Sequence, residues 1–164
     1  MIFITVGSAF PFDRLIKSMD TWAAETGRGE ECLAQIGRGT YQPTHMEWHR
    51  TLEHAHFAET MKSASVVVAH AGMGSVITAM QHGIPIVMLP RHFEAGEHTT
   101  DHQIATARWL EDKPGVFIAW DETSLEDAIA KAEVWSSTGS LLASSAPITF
   151  TTKLNEQLSR WLET

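Results

Sequence analysis

The sequence contains very little cysteine and no long apolar run. Its one cysteine, Cys32, cannot form a disulfide within the chain, which favours a reducing compartment. No apolar stretch approaches the roughly 20 residues that a membrane-spanning helix needs. The first residues, MIFITVGS, lack the basic region and the cleavage site of a secretory signal. Together these absences predict a cytoplasmic protein.

Basic residues are scarce as well. The 164 residues include 12 Lys and Arg against 20 Asp and Glu, a formal net charge of −8 with neutral histidines. This balance argues against nucleic acid as a partner and against a basic membrane-surface protein. A hydrophobic content of 43% is ordinary for a globular chain, and the length predicts a single domain over residues 1–164.

Short apolar runs alternate with amphipathic segments along the chain. The runs predict strands at residues 2–6, 32–36, 53–57, 65–69, 84–89 and 116–119. The amphipathic segments predict helices at residues 11–26, 57–63, 73–82, 101–110, 123–135 and 153–162, the fifth beginning with a capping box at 123–126. The alternation predicts an α/β, Rossmann-like fold, with a mostly parallel sheet and helices on both faces.

In such folds, ligands bind beyond the carboxyl ends of the strands. The segment at residues 66–90 is therefore informative, because it has the order strand, glycine turn, helix, glycine, strand. Gly72 and Gly74 let the backbone approach a ligand, and the helix after them directs free N–H groups toward the loop. A phosphate fits there, with His70 and Ser75 as further donors. A tight turn that binds nothing is equally compatible with the two glycines.

The charges around this segment limit how a phosphate is held. Residues 64–108 contain two arginines and three acidic residues but five histidines. Backbone amides, hydroxyls and imidazoles are therefore the expected donors. Other familiar motifs fail on spacing. Ile77 replaces the third glycine of a dinucleotide fingerprint, and no P-loop occurs. The absence of a Gly-x-Ser-x-Gly elbow argues against a serine hydrolase.

At this segment the chain resembles the glycosyltransferase family 28 C-terminal domain, the donor-binding half of a GT-B enzyme. It is similar in particular to PssE-type subunits of exopolysaccharide synthesis and to the catalytic subunit of the dolichol-linked N-acetylglucosaminyl transferase. Four blocks carry the resemblance in this order: ITVGSAFPFDRLI, QIGRGTYQP, HAGMGSVITAMQHGIPIVMLPR and GEHTTDHQIATAR.

The resemblance implies that two glycine loops hold the diphosphate of a UDP-sugar. The first loop contributes Gly7 and Ser8. The second contributes His70 and Ser75, as the catalytic pair, together with three of the four residues between them. Those three are Gly72, Met73 and Gly74.

The resemblance also implies contacts to the rest of the donor. The residues next to the uracil are Gly37, Arg38 and Tyr41. The sugar hydroxyls are held by the block Asp101, His102 and Gln103. Many relatives have a glutamate on the ribose where this chain has Thr78. Arg91 is a further donor-binding residue, which would pair with the sugar carboxylate of UDP-glucuronate.

The reaction implied is inverting transfer of a sugar from a UDP-sugar to a lipid-linked saccharide acceptor in polysaccharide biosynthesis, without a metal or cofactor. One GT-B half lacks the acceptor side. The resemblance therefore implies a membrane-anchored, acceptor-binding partner that recruits this chain to the cytoplasmic face of the membrane. Two alternatives remain open: a non-catalytic nucleotide-sugar sensor or scaffold, and an unrelated nucleotide-binding Rossmann enzyme.

Two other groups of residues are candidates for function. Four histidines lie near Glu47 and Glu53, namely His45, His49, His54 and His56. Their residue types are compatible with a metal site, but a polar loop near the cleft is favoured because the helical HExxH pattern is missing. The second group is aromatic. Phe10 and Phe12 are expected at the cleft rim, against core packing as the alternative, and Trp161 is expected on a partner-docking helix.

Overall fold

The computed structural model describes residues 1–135, which form a six-stranded parallel sheet. The strands are β1 (Ile2–Thr5), β2 (Cys32–Gln35), β3 (Glu47–His49), β4 (Val66–His70), β5 (Ile86–Leu89) and β6 (Val116–Ile118). Their order is β3-β2-β1-β4-β5-β6, and every neighbouring pair is parallel. The α-helices within these residues are α1 (Asp13–Thr26), α2 (His54–Ser63), α3 (Met73–Gln81), α4 (His102–Leu110) and α5 (Leu125–Val134). The predicted fold class is confirmed.

The core is divided between the two faces of the sheet, because side chains alternate along each strand. Ile2 and Ile4 of β1 point to the face covered by α1 and α5. Phe3 points to the opposite face, which α2, α3 and α4 cover. Every residue of β1 and β5 is buried, so both strands appear in the sequence as unbroken apolar runs rather than as alternating patterns.

Helix α1 follows directly from its sequence pattern. Its predicted apolar face is buried, and this face consists of Leu15, Ile16, Met19, Trp22 and Ala23. The helix ends at Gly27, which adopts the left-handed conformation with φ +67°. That conformation strains most other residues, so the glycine is a natural terminator.

The structure corrects two local predictions. The third strand lies at Glu47–His49, and residues 53–57 instead form the N-cap and the first turn of α2. This edge strand is only three residues long and only its middle residue is partly buried, so it leaves no apolar pattern. The capping box is formed by Asp121 and Ser124, which bond each other's backbone N–H groups, and not by residues 123–126. The predicted helix at 153–162 lies outside the described residues.

The strand order reverses between β1 and β4. Each of these strands is followed by a loop at its carboxyl end, and the two strands are direct neighbours in the sheet. The loop at Gly7 and the loop at His70 therefore lie side by side, at the position where open α/β sheets bind ligands. None of the helices in residues 1–135 is long and apolar enough to cross a bilayer.

Candidate functional site

A cavity of about 600 Å³ opens between the carboxyl ends of β1 and β4. Its walls come from the loop after β1, the start of α2, the end of β4, the first turns of α3 and the end of β5. The lining residues are Val6, Gly7, Ser8, Ala9, His54, Phe57, Ala58, His70, Gly74, Ser75, Thr78 and Arg91. Seven of the residues predicted from the sequence to bind the donor are thus brought together here.

The imidazole of His70 lies closely against two glycines, Gly7 and Gly72. A Cβ atom on Gly7 would lie 2.9 Å from His70 Cε1, and a Cβ atom on Gly72 would overlap with His70 Nε2. Nδ1 is fully buried without a hydrogen-bond partner of good geometry within residues 1–135, so Nε2 is the ring nitrogen that a ligand in the cavity can reach.

The surroundings of this ring keep it neutral. Burial lowers the pKa of His70 to about 4, and the positive charge of Arg91 acts in the same direction, against a smaller opposing effect from the Thr5 backbone. Burial disfavours the charged form of an imidazole because the ion loses its hydration. At neutral pH, His70 therefore presents an uncharged imidazole to the cavity.

The amino-terminal end of α3 faces the same cavity. The residue before the helix is Gly72, which has no side chain to cap the first N–H groups. Those groups carry the positive end of the helix dipole and have no acceptor within the helix. Ser75 is in the first turn, 9% exposed and lining the cavity, while the hydroxyl of Thr78 donates to the Gly74 carbonyl at 2.9 Å.

Arg91 also lines the cavity, but it is not a free cation of the loop. Its side chain is only 2% exposed, and its Nη2 atom donates to two backbone carbonyls, those of Val6 and Phe10, each at 2.8 Å. Burial lowers its pKa to about 10, so the guanidinium stays charged at neutral pH. The expectation of an arginine extended toward a sugar carboxylate does not match this placement.

The residues expected around the uracil lie beside the cavity rather than in its wall. Gly37 contacts the first glycine loop, since a Cβ atom there would lie 2.8 Å from the Gly7 carbonyl oxygen. Arg38 is exposed. The Tyr41 hydroxyl donates to the buried carboxylate of Asp20 at 2.7 Å, which directs it toward α1.

The block expected to hold the sugar is also outside the cavity wall. Asp101 is exposed and accepts a hydrogen bond from the Phe93 N–H. The ring of His102 contacts that of His98 edge-on, at 4.4 Å between centroids. Gln103 is 3% exposed, and its Oε1 accepts from the Arg91 N–H at 3.2 Å. Met73 is exposed at the first position of α3.

Sequence reasoning missed the contribution of α2. His54, Phe57 and Ala58 line the cavity because they lie on the first turns of this helix. The misplaced third strand concealed this arrangement. A helical interpretation of residues 54–63 would have placed positions 54, 57 and 58 on one face, the i, i+3, i+4 pattern.

The other candidate histidines and aromatics have ordinary surroundings. His45 contacts Asp20, and the rings of His49 and His56 are 6.4 Å apart. The residues that the structure describes contain no group of three metal-ligating side chains. Phe12 is fully buried, so the core-packing alternative holds for it and its expected place at the cleft rim was wrong, whereas Phe10 is partly buried against His98. Trp161 lies outside the described residues.

Comparisons with solved structures show the same fold in glycosyltransferases. The calicheamicin glycosyltransferase CalG4 aligns with a TM-score of 0.59 at 16% identity, over 81% of this chain and 34% of CalG4. The glycotransferase of kitacinnamycin gives 0.62 at 17% identity, over 81% of this chain and 34% of its own. MurG of Acinetobacter baumannii gives 0.54 at 17% identity, over 95% of this chain and 42% of MurG.

This chain therefore spans about a third to two-fifths of the length of these solved proteins. Among curated proteins, no sequence matches it. The family model described as the glycosyltransferase family 28 C-terminal domain matches residues 1–158, nearly the whole chain. The strand order, the glycine loops at its reversal point and this match lead to one conclusion: the chain belongs to the glycosyltransferase family 28 C-terminal domain family.

Proposed function

We propose that this chain is the donor-binding catalytic subunit of a two-component inverting glycosyltransferase. It binds a UDP-sugar and transfers the sugar to a lipid-linked saccharide acceptor in polysaccharide biosynthesis. One observation carries the proposal: the uncapped amino-terminal end of α3 faces the same cavity as His70 and Ser75.

A diphosphate suits this end of the cavity. The first N–H groups of α3 need acceptors, and the helix dipole favours a negative charge at that position. Ser75 supplies a hydroxyl donor. His70, neutral at pH 7, supplies an N–H when the proton is on Nε2, without the long-range charge of an imidazolium.

The same groups support the chemical step. When the bond between the anomeric carbon and the diphosphate breaks, negative charge develops on UDP. Donors fixed by folding stabilise that charge without rearrangement, and the loss of one such donor typically raises the barrier by about 2.7–4 kcal/mol. No metal or cofactor is part of this proposal.

The two-component arrangement rests on the resemblance of the four sequence blocks to PssE-type and dolichol-linked subunits. We infer that a separate membrane-anchored subunit supplies the acceptor side, as in the PssE-type and dolichol-linked relatives that the sequence blocks resemble. That partner would bring the donor half to the cytoplasmic face of the membrane.

Calorimetric titration provides the first test. The proposal predicts that UDP and at least one UDP-sugar bind, and that NAD and ATP bind more weakly. Preference for NAD or ATP would contradict the proposal that a UDP-sugar is the ligand. The sugar panel is UDP-glucose, UDP-glucuronate and UDP-N-acetylglucosamine.

Turnover provides the second test, with a candidate membrane-anchored partner co-expressed. Ser75→Ala and His70→Ala should each lower sugar transfer by about a hundredfold or more while the protein stays folded. Ser65→Ala is the matched control, because Ser65 lies at the opposite end of β4 and bonds the Met1 carbonyl. UDP binding without any transfer in the presence of the partner would favour the sensor or scaffold.

A further inference from the structure

Arg91 is the largest fully buried side chain within the described residues. It lies two residues after the end of β5 and lines the cavity. Burying a guanidinium is costly unless its hydrogen-bonding groups are satisfied and its charge is compensated. The hydrogen bonds of this side chain therefore indicate the structural role of the buried guanidinium.

The Nη2 atom of Arg91 links the two ends of the loop that follows β1. It donates to the carbonyl of Val6 before Gly7 and to the carbonyl of Phe10 after Ala9, each at 2.8 Å. The Cζ atom lies 4.9 Å from the ring centroid of Phe12, just beyond the loop. The Arg91 N–H is fixed in turn by Gln103.

The loop has few other attachments. Gly7 donates to the Thr5 hydroxyl at 3.3 Å, and its carbonyl accepts from Gln35 at 3.3 Å, both long contacts. Ser8 and Ala9 are exposed and line the cavity. Arg91 thus makes the two shortest polar contacts that determine where residues 7–9 lie.

The charge of Arg91 has no direct partner in residues 1–135. Glu97 is the carboxylate that acts on it electrostatically, and both oxygens of Glu97 already accept from Arg14. The Nε atom of Arg91 is buried without a hydrogen-bond partner in the same part of the chain. The cavity wall therefore carries a positive charge that no carboxylate pairs with directly, which favours an anionic ligand in the cavity.

We propose that Arg91 is a positioning residue: by bridging the Val6 and Phe10 carbonyls it holds the Gly7–Ser8–Ala9 loop in the conformation that accepts the diphosphate. This inference rests on the proposed function for the identity of the ligand. In this proposal, Arg91 positions the loop instead of pairing directly with the carboxylate of a sugar.

Three variants distinguish a role of Arg91 in positioning the loop from a general effect on the stability of the protein. Arg91→Met keeps an unbranched side chain of similar length but removes both donors and the charge. Arg91→Lys keeps the charge without the planar fork of donors. Arg14→Met is the matched control, because Arg14 also stacks on Phe12, at 5.2 Å, and bonds the Pro90 carbonyl, yet it makes no hydrogen bond to the loop.

The first measurement is amide hydrogen exchange in the ligand-free proteins. Arg91→Met should accelerate exchange at residues 7–10 relative to the strands of the sheet, and Arg14→Met should not. Equal exchange at residues 7–10 in Arg91→Met and the wild type would overturn the positioning role. This arm needs no nucleotide, so it remains decisive even if the wild-type protein fails to bind UDP, an outcome that would count against the proposed function alone.

The second measurement compares UDP with uridine by calorimetry. Arg91→Met should weaken UDP binding by about ten- to a hundredfold, the range for lost hydrogen bonds to a charged group, with little change for uridine, which lacks the diphosphate. Arg91→Lys should recover part of the loss. If Arg91→Met does not fold, Arg91→Lys takes its place in the comparison. Wild-type UDP affinity in both Arg91 variants, or an equal loss for uridine, would overturn the inference.

Discussion

Gly7 and His70 are in contact across the reversal point of the sheet. A side chain on Gly7 would begin 2.9 Å from His70 Cε1, and the residue has φ +72°. The glycine thus meets two requirements at once, a left-handed backbone and room for an imidazole. A substitution that violates both has a different outcome from one that violates only the backbone requirement.

Gly7→Ala is therefore expected to abolish UDP binding as well as to lower stability. Gly27→Ala is the control, because Gly27 has φ +67° with no heavy atom within 4 Å of the added Cβ. Each change should lower the free energy of unfolding by about 1 kcal/mol or more through backbone strain. Denaturant melts and calorimetry check both; unchanged UDP affinity in Gly7→Ala would show that the position of His70 does not matter for binding.

The pKa of His70 predicts a pH dependence of stability. Its folded value of about 4 lies below the ordinary 6.5, so between these values the unfolded chain binds more protons. This contribution to stability is present above pH 6.5 and is lost as the pH falls toward 4. Wild type should lose about 2 kcal/mol more than His70→Gln between pH 7 and pH 5. Urea melts at the two pH values measure this, and parallel losses in the two proteins would contradict the buried neutral imidazole.

The placement of Tyr41 predicts a structural role for its hydroxyl. Asp20 is 1% exposed and accepts from Tyr41, from the Thr44 N–H and from the His45 N–H. Tyr41→Phe removes one of these bonds and should lower the free energy of unfolding by about 1–2 kcal/mol, with UDP affinity unchanged. A marked loss of affinity without a loss of stability would instead support the contact with uracil that the family resemblance implies.

The ion pair between Arg14 and Glu97 should be resistant to salt. Two contacts of 2.7 and 2.8 Å join the side chains, which are 19% and 11% exposed. Burial raises the pKa of Glu97, but the hydrogen bonds from Arg14 and the His92 N–H, together with the charge of Arg14, outweigh this effect, and the pKa lies below its usual value. Glu97→Gln is expected to cost about 2 kcal/mol at both low and high salt.

The exposed pair Asp127–Lys131 is the control for that prediction. Its side chains are 68% and 63% exposed, at i,i+4 spacing on α5. Asp127→Asn should cost no more than about 0.5 kcal/mol, and this small effect should disappear in high salt. Salt-sensitive destabilisation by Glu97→Gln would mean that the first pair is solvated like the second.

Local sequence pattern predicted those elements whose residues share one environment. Strands β1 and β5 are uniformly buried, and α1 has one continuous apolar face, so each shows a regular pattern. Strand β3 has no such regularity because it is an edge of three residues. Its position is determined by pairing with β2, which a sequence pattern does not reveal.

The residues of the candidate site also differ in how well the sequence predicts their contacts. His70, Gly72 and Ser75 are close in sequence, and a turn between strand and helix brings them together whatever the rest of the fold does. The contacts of Arg91 join residues that are 85 and 81 positions apart. Such contacts exist only after β1 and β5 have taken their places in the sheet. The sequence alone therefore indicated a charged residue near the site, but not its bonds.

The two glycines around His70 also determine when its ring becomes ordered. A side chain that is free to rotate loses conformational entropy when it binds a ligand, and this loss weakens affinity. Here the imidazole already lies so close to the backbone of both glycines that neither has room for a Cβ atom. Its rotational freedom is given up during folding, so a ligand that enters the cavity meets a ring that is already ordered.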